Sequence, residues 1–182
     1  GLPAPADFAA VEAPLGEPAD RQILVRIAYV SVDPGMRSRL STDSYAPALR
    51  PGETIESAGL GRVVASRNAK FKEGDIVSGG FGWQTHALVD GRGVSVLDPA
   101  LYSGVVKPTY AIGVLGVPGL TAYFGLKSVG AAKDGETVLI SSAAGPVGAT
   151  AGQLARAWGL TPIGIAGGQA KCEWLNRIGF VY

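Results

Sequence analysis

The stretch from Thr137 to Ala166 constrains the fold of this chain more than any other. A short apolar run, Thr137-Val138-Leu139-Ile140, leads into Ser141-Ser142-Ala143-Ala144-Gly145-Pro146-Val147-Gly148. A helical pattern then runs to Trp158, Gly159 stops it, and Thr161 to Ala166 forms a second apolar run. Short apolar runs bounded by turn residues suit strands buried on both faces. On the helical stretch, Val147, Ala151, Leu154, Ala155 and Trp158 share one face at helical spacing. Ala170, Trp174, Leu175 and Ile178 mark a second amphipathic helix, stopped by Gly179. Strand, helix, strand, helix in that order predicts one βαβα part of a doubly wound α/β sheet.

Before about residue 115 the chain has a different character. Gln22 to Val32 alternates Ile23, Val25 and Ile27 with Arg26 and Ala28, at the period of a strand, and ends at the turn Asp33-Pro34-Gly35. Gly59 to Ser66, Ile76-Val77, Trp83 to Val89 and Gly93 to Leu97 read as further strands. Strands at this spacing predict a small barrel or sandwich. The expected division is therefore 1–115 and 116–182.

Composition removes several function classes. Sixteen basic and fifteen acidic residues give a net charge of +1 with no basic block, so a nucleic-acid partner is not expected. One cysteine, Cys172, and one histidine, His86, cannot form an internal disulfide, a Cys-rich zinc site or a histidine-based triad, and no metal ligand set is assigned. A hydrophobic share of 47% against 17% charged residues excludes a disordered chain. Two uncharged windows, Pro108 to Leu126 and Thr137 to Ala155, are broken by Pro118-Gly119 and Gly145-Pro146, which fits soluble elements rather than membrane spans. The start, Gly1-Leu2-Pro3-Ala4-Pro5, has no signal-peptide character, and a cytoplasmic location is expected.

The loop Ala143 to Gly148 matches part of a dinucleotide fingerprint. Such a loop uses glycines for a tight turn, for close approach to a pyrophosphate, and for packing of helix on strand. Gly145 and Gly148 supply the second and third, Ala143 replaces the first, and Pro146 suits the first helical position. A Gly-rich turn without a ligand is the alternative. About twenty residues further on, an NAD site places an acid against the ribose 2′-hydroxyl. Here Ile165-Ala166-Gly167-Gly168-Gln169-Ala170-Lys171 contains no acid, and Lys171 would attract a 2′-phosphate. A charge-assisted bond of about 1.5–3 kcal/mol corresponds to NADP preference of roughly ten- to a hundredfold. A solvated lysine without that role is the alternative for Lys171.

Several segments taken together resemble the medium-chain dehydrogenase/reductase superfamily. Within it they resemble the zinc-free branch of prostaglandin reductases, alkenal double-bond reductases and curcumin-reductase-like proteins. The matching segments are Ser31-Val32-Asp33-Pro34 with Met36-Arg37, Phe81-Gly82-Trp83-Gln84, Val117 to Gly125, Ala143 to Gly148, and Ala166-Gly167-Gly168 with Lys171-Cys172 and Leu175. The resemblance implies a GroES-like β-barrel domain followed by an incomplete Rossmann dinucleotide-binding domain, with NADP(H) in the cleft between them. It places Gly145, Pro146, Val147 and Gly148 at the pyrophosphate, and Gly167, Gly168 and Lys171 around the 2′-phosphate. Pro118, Gly119 and Thr121 would approach the nicotinamide. Zinc-dependent relatives carry a cysteine where this chain has Asp33-Pro34, in agreement with the cysteine count.

The chemistry implied is NADPH-dependent reduction of a carbon–carbon double bond conjugated to a carbonyl, in a small enone or alkenal. The enolate needs a hydrogen-bond donor, and Tyr45 stands where relatives carry a tyrosine near the substrate; the alternative is a loop aromatic packed on the barrel. Phe81 and Trp83 either wall an apolar pocket or fill the barrel. Tyr123 is expected in the core, His86 in a strand without a catalytic role, and Asp33 and Arg37 in holding the turn. Cys172 is either a reactive thiol near a helix start or a small packing residue. An NADPH:quinone oxidoreductase and a non-catalytic NADP-binding module are the competing functions, and an acyl-binding or chaperone-like barrel would leave Ala143 to Lys171 without purpose. Relatives of this kind run to about twice this length, so a longer polypeptide is expected, with residues missing around or after Phe180 and a homodimer when full length. Tyr182 would then belong near the adenosine phosphate.

Overall fold

The alternation of Ile23, Val25 and Ile27 becomes strand β1, Ile23–Val30, in which Ile23 and Val25 are fully buried. The structure, a computed structural model, describes residues 3–40, 42 and 47–181. After β1 come helix α1 (Pro34–Arg39) and strands β2 (Ala58–Ser66), β3 (Ile76–Gly80), β4 (His86–Val89) and β5 (Ser95–Val96). They form one antiparallel sheet in the order β4-β1-β2-β3-β5. Register shifts against β2 fall between Leu24 and Val25 and between Ile27 and Tyr29. Irregularities of this kind sharpen the right-handed twist of the strands they interrupt. The sheet closes on a single core of Ile23, Val25, Val63, Phe71, Val77, Phe81 and Ala87.

The strand expected from Trp83 to Val89 begins only at His86. Gly82, at φ +71°, turns the chain. The Gly82 and Trp83 N–H groups then donate to Ser57 and Ile55 at 3.0 and 2.9 Å, outside the ladder.

Residues 110–182 form a second compact unit, separate from 1–109. Helix α2 (Val117–Phe124) runs into a π-helical turn, Gly125–Val129. Strand β6 (Thr137–Ile140), helix α3 (Pro146–Ala157), strand β7 (Thr161–Gly164) and helix α4 (Gln169–Arg177) follow. β6 and β7 are parallel, in register from Thr137↔Thr161 to Ile140↔Gly164. Val181 forms a parallel bridge with Ile163 on the other edge of β7, and its N–H donates to Pro162 at 2.9 Å.

Two apolar clusters hold this unit. Ala122, Leu126, Ala151, Ala155 and Leu160 join α2 to α3, while Ala143, Leu175 and Phe180 lie under α4. Val138 and Ile140 belong to these clusters, whereas Leu139, on the opposite face of β6, is 65% exposed. The packed face of α3 is rotated from the one the apolar residues alone suggest: Gly148, Ala151, Gly152 and Ala155 are buried, and Val147 is exposed. Small residues permit close approach to the sheet, so they set the contact face. Trp174 likewise stays at the margin of α4, and Tyr123 is exposed rather than buried, edge-on to Phe124 and Trp158 at 5.2 and 5.6 Å. Among the described residues no helix is long and apolar enough to cross a membrane.

Candidate functional site

The loop between β6 and α3 is a tight turn clamped from several sides. The Ala143 N–H donates to Ile165 at 3.0 Å, and the Gly145 N–H donates to Ser142 at 2.9 Å. Ser142 itself sits at φ +48°, an uncommon conformation for a residue with a side chain. Gly145 caps α3 with extended backbone, and Pro146 occupies its first turn, where no N–H is required. The next N–H groups, of Val147 and Gly148, have no carbonyl earlier in the helix to bond. With the helix dipole they favour an anion at this end.

The glycines at this loop have different duties. A Cβ on Gly148 would lie 2.7 Å from the Ala143 Cα and 2.7 Å from the Ser142 carbonyl oxygen, so only glycine lets α3 start this close to the strand. A Cβ on Gly145 would meet only the Ser142 oxygen, at 3.2 Å. Gly145 is thus less restricted from within and leaves backbone open to a ligand. Ala143, in the place of a first glycine, is fully buried and packs with Leu175 and Phe180.

α4 begins at the carboxyl end of β7, as α3 begins after the carboxyl end of β6, so the parallel pair brings both helix starts to one edge. Gly168 precedes α4 at φ +88°, and at neither Gly167 nor Gly168 would a Cβ meet anything within 4 Å. The backbone there is open, as a bulky phosphorylated ribose requires. Lys171 is exposed in the first turn of α4, one turn before buried Leu175. The carboxylate nearest in sequence, Glu173, accepts a bond from Gln169 Nε2 at 2.8 Å. Positions 169 and 173 share a face, and 171 lies on the other. These residues fit the pyrophosphate and 2′-phosphate of a dinucleotide.

The other candidate residues are placed as follows. Pro118 and Gly119 are buried, and a Cβ on Gly119 would run into the Val114 carbonyl oxygen. Thr121 is exposed, with its hydroxyl donating to Val117 at 2.7 Å. Tyr45 and Tyr182 lie outside the described residues. Phe81 is a core residue at 2% exposure, while Trp83 remains 37% exposed. Asp33 accepts the Ser31 hydroxyl at 2.7 Å, and its N–H points at the Met36 sulfur at 3.2 Å, which ties the turn into α1. His86 is half-buried in β4 beside the Thr85 hydroxyl. Cys172 is half-buried, with Sγ 3.8 Å from the Ala166 carbonyl. No group of three or more potential metal ligands occurs among the described residues.

Two residues that shape this site were not singled out in the sequence. A Cβ on Gly152 would overlap the Phe180 ring, and one on Gly164 would lie 2.7 Å from that ring and 3.0 Å from Ala143 Cβ. The recurrence of glycine at 148 and 152, one helical turn apart, was the available signal.

Comparison with known proteins follows from this geometry. Residues 1–97 match the family described as the N-terminal domain of oxidoreductase. The chain is 39% identical over 179 residues to the NADPH-dependent curcumin reductase of Escherichia coli (strain K12), covering 98% of this chain and 51% of that protein. It is 36% identical over 180 residues to prostaglandin reductase 1 of Mus musculus, covering 99% of this chain and 53% of that one. The crystal structure of CurA from Vibrio vulnificus in complex with NADPH superposes with a TM-score of 0.89 at 37% identity, over 98% of this chain and 52% of that one. The chain spans about half the length of the curated relatives it matches.

Proposed function

Because this chain belongs to the zinc-free reductase branch of the medium-chain dehydrogenase/reductase superfamily, we propose that it is part of an NADPH-dependent reductase of carbon–carbon double bonds conjugated to a carbonyl. Residues 1–115 form the GroES-like substrate domain in this reading, and 116–182 the first part of a Rossmann domain. One observation carries it: the starts of α3 and α4 share the carboxyl edge of a parallel pair, Lys171 lies in the first turn of α4, and no acid stands between Ile165 and Cys172. Val181, bridged to the far edge of β7, supports a sheet that continues in the order expected of a dinucleotide fold.

Gly145, Pro146, Val147 and Gly148 would hold the pyrophosphate, and Gly167, Gly168 and Lys171 the 2′-phosphate. Pro118 and Gly119, being buried, would act toward the nicotinamide through the backbone they shape, and Thr121 through its exposed surface. The bound cofactor supplies a hydride for the β-carbon. The protein's part is to orient the enone, exclude water and donate a hydrogen bond to the enolate oxygen, a role we assign to the Tyr45 hydroxyl. The full-length protein is proposed to be a cytoplasmic homodimer acting on small enones or alkenals.

The names of the relatives, a curcumin reductase and a prostaglandin reductase, support double-bond reduction over quinone reduction. The test is NADPH oxidation by the full-length protein with a panel of enones, alkenals and quinones. Turnover of enones and alkenals is expected. Activity confined to quinones would replace this reading, and tight NADPH binding without any turnover would leave a nucleotide-binding module.

A further inference from the structure

Phe180 stands where the chain returns from α4 to the edge of β7. Gly179, at φ +98°, turns the backbone there. The Phe180 N–H donates to Leu175 at 3.0 Å, and the next N–H, of Val181, donates to Pro162 at 2.9 Å. The side chain between these two anchors is 4% exposed.

Two glycines make room for its ring. On α3, a Cβ at Gly152 would overlap the ring atoms Cζ and Cε2. On β7, a Cβ at Gly164 would stand 2.7 Å from the ring's Cδ1, and 3.0 Å from both the Ala143 Cβ and the Leu175 Cδ1. Three side chains therefore converge over this one glycine. Ala143, Leu175 and Phe180 form a single buried cluster, and Ala144 and Ala166 pack against it.

These neighbours belong to both halves of the proposed cofactor site. Ala143 and Ala144 begin the loop that leads into Gly145 and α3. Leu175 lies one turn after Lys171 on α4, and Ala166 leads into Gly167 and Gly168. A planar ring does not compress, and close-packed interiors transmit strain. The ring thus fixes the separation between the β6–α3 loop and α4. A dinucleotide carries its pyrophosphate and its 2′-phosphate on one adenosine, so both are held at once only where that separation matches.

We infer that Phe180 is a positioning residue that sets the spacing of the two phosphate subsites, and so fixes the preference of this protein for NADPH over NADH. This rests on the NADPH reading and deepens it. Being buried, Phe180 acts through Ala143 and Leu175 rather than on the nucleotide. A smaller or softer side chain lets the loop and α4 settle toward each other. NADPH then loses alignment at one of its phosphate subsites, whereas NADH has no 2′-phosphate to misplace.

The experiment uses the full-length protein. Wild type, Phe180→Leu and Phe180→Met, each with and without Lys171→Ala, are titrated calorimetrically with NADPH and with NADH. Leucine lacks the outer ring atoms; methionine keeps more of the volume but is flexible, so the measurement stands if the leucine variant does not fold. Phe180→Leu is expected to weaken NADPH about tenfold and NADH about twofold or less, with Phe180→Met between wild type and Phe180→Leu. Lys171→Ala, at roughly ten- to a hundredfold in the wild type, is expected to cost about threefold or less in the Phe180→Leu background, the non-additivity of residues that serve one contact. A residue that only stabilises the fold would lower Tm and weaken both nucleotides alike, with Lys171→Ala adding its full cost. That pattern overturns the inference, as does an unchanged ratio of NADPH to NADH affinity in both variants, or loss of the folded state in both. A wild type without preference for NADPH fails the cofactor reading itself, and the inference falls with it.

Discussion

Replacing Gly148 with alanine tests the geometry of the phosphate loop most directly. The added methyl would stand 2.7 Å from both the Ala143 Cα and the Ser142 carbonyl oxygen, where ordinary contacts begin at 3.4 Å. Both neighbours are backbone, and neither can rotate away. Alanine in a helix gains at most about 1 kcal/mol over glycine, and overpacking of this kind costs about 1–3 kcal/mol. The net loss is up to about 2 kcal/mol, a fall in Tm of roughly 4–8 °C for a unit of 150–250 residues and less in the longer full-length protein. The relief open to the fold is to lift the start of α3 from the loop, which misaligns the N–H groups of Val147 and Gly148. One charge-assisted hydrogen bond lost there costs about 1.5–3 kcal/mol, roughly a ten- to hundredfold weaker NADPH dissociation constant. Gly145→Ala is the matched control. Its methyl meets only the Ser142 oxygen, at 3.2 Å, so Tm should hardly move. In the proposed site it lies against the pyrophosphate, however, so NADPH affinity should fall. Calorimetric titration of NADPH and thermal melts of both full-length variants check this. Wild-type affinity and Tm in Gly148→Ala would refute the reasoning, as would a larger loss of Tm in Gly145→Ala than in Gly148→Ala.

Three further outcomes are expected. Lys171→Ala should weaken NADPH roughly ten- to a hundredfold and leave NADH nearly unchanged; dissociation constants for both nucleotides measure this, and equal losses would remove Lys171 from the 2′-phosphate. The purified protein should carry no stoichiometric zinc after chelation and dialysis, since one cysteine and one histidine cannot make the usual tetrahedral set; a retained zinc ion by elemental analysis would contradict this. Asp90 accepts the Arg92 backbone N–H at 2.9 Å and its Nε at 2.6 Å, which hold the carboxyl below its ordinary value of 3.8. A depressed folded-state value stabilises above the unfolded value and loses that contribution as pH falls through the folded one. The Tm deficit of Asp90→Asn should therefore be constant near neutrality and shrink below pH 3.8; a deficit that persists into acid would show another origin.

What the sequence made legible was whatever local repetition governs. Period-two alternation placed β1 because one face of it is buried, and Gly145-Pro146 placed the start of α3 because a proline fits only certain positions of a helix. The span of β4 was overestimated because Gly82 and Trp83 bond to Ser57 and Ile55, partners more than twenty residues away that no local pattern announces. Val147 and Trp174 satisfied the apolar period yet lie at the margins of their helices, since the buried side of α3 is set by glycine and alanine. The lack of an acid between Ile165 and Cys172 was legible because it is a property of one short segment. The contact of Phe8 with Trp83 was not, because a lone aromatic in an extended arm acquires meaning only from the ring it meets.

The less legible contacts are also the ones that hold the loop between β6 and α3 in place. Gly148 lets α3 rest on Ser142 and Ala143, and Ala143 in turn lies against Gly164 of β7. Gly164 and Gly152 leave between them the space that the Phe180 ring fills, and Phe180 packs with Ala143 and Leu175. These contacts form a closed ring of neighbours: loop, α3, Phe180, β7 and back to the loop. No member can enlarge without displacing the next. A loop that offers backbone N–H groups to a ligand has no side-chain anchors of its own to keep them aimed, so its precision must come from rigid supports beneath it. Glycine at three of these positions and one buried phenylalanine provide that support. Val181, directly after Phe180, is bonded to β7 as well. The segment that leads onward from α4 is thereby fixed to the same strand that helps to seat the loop.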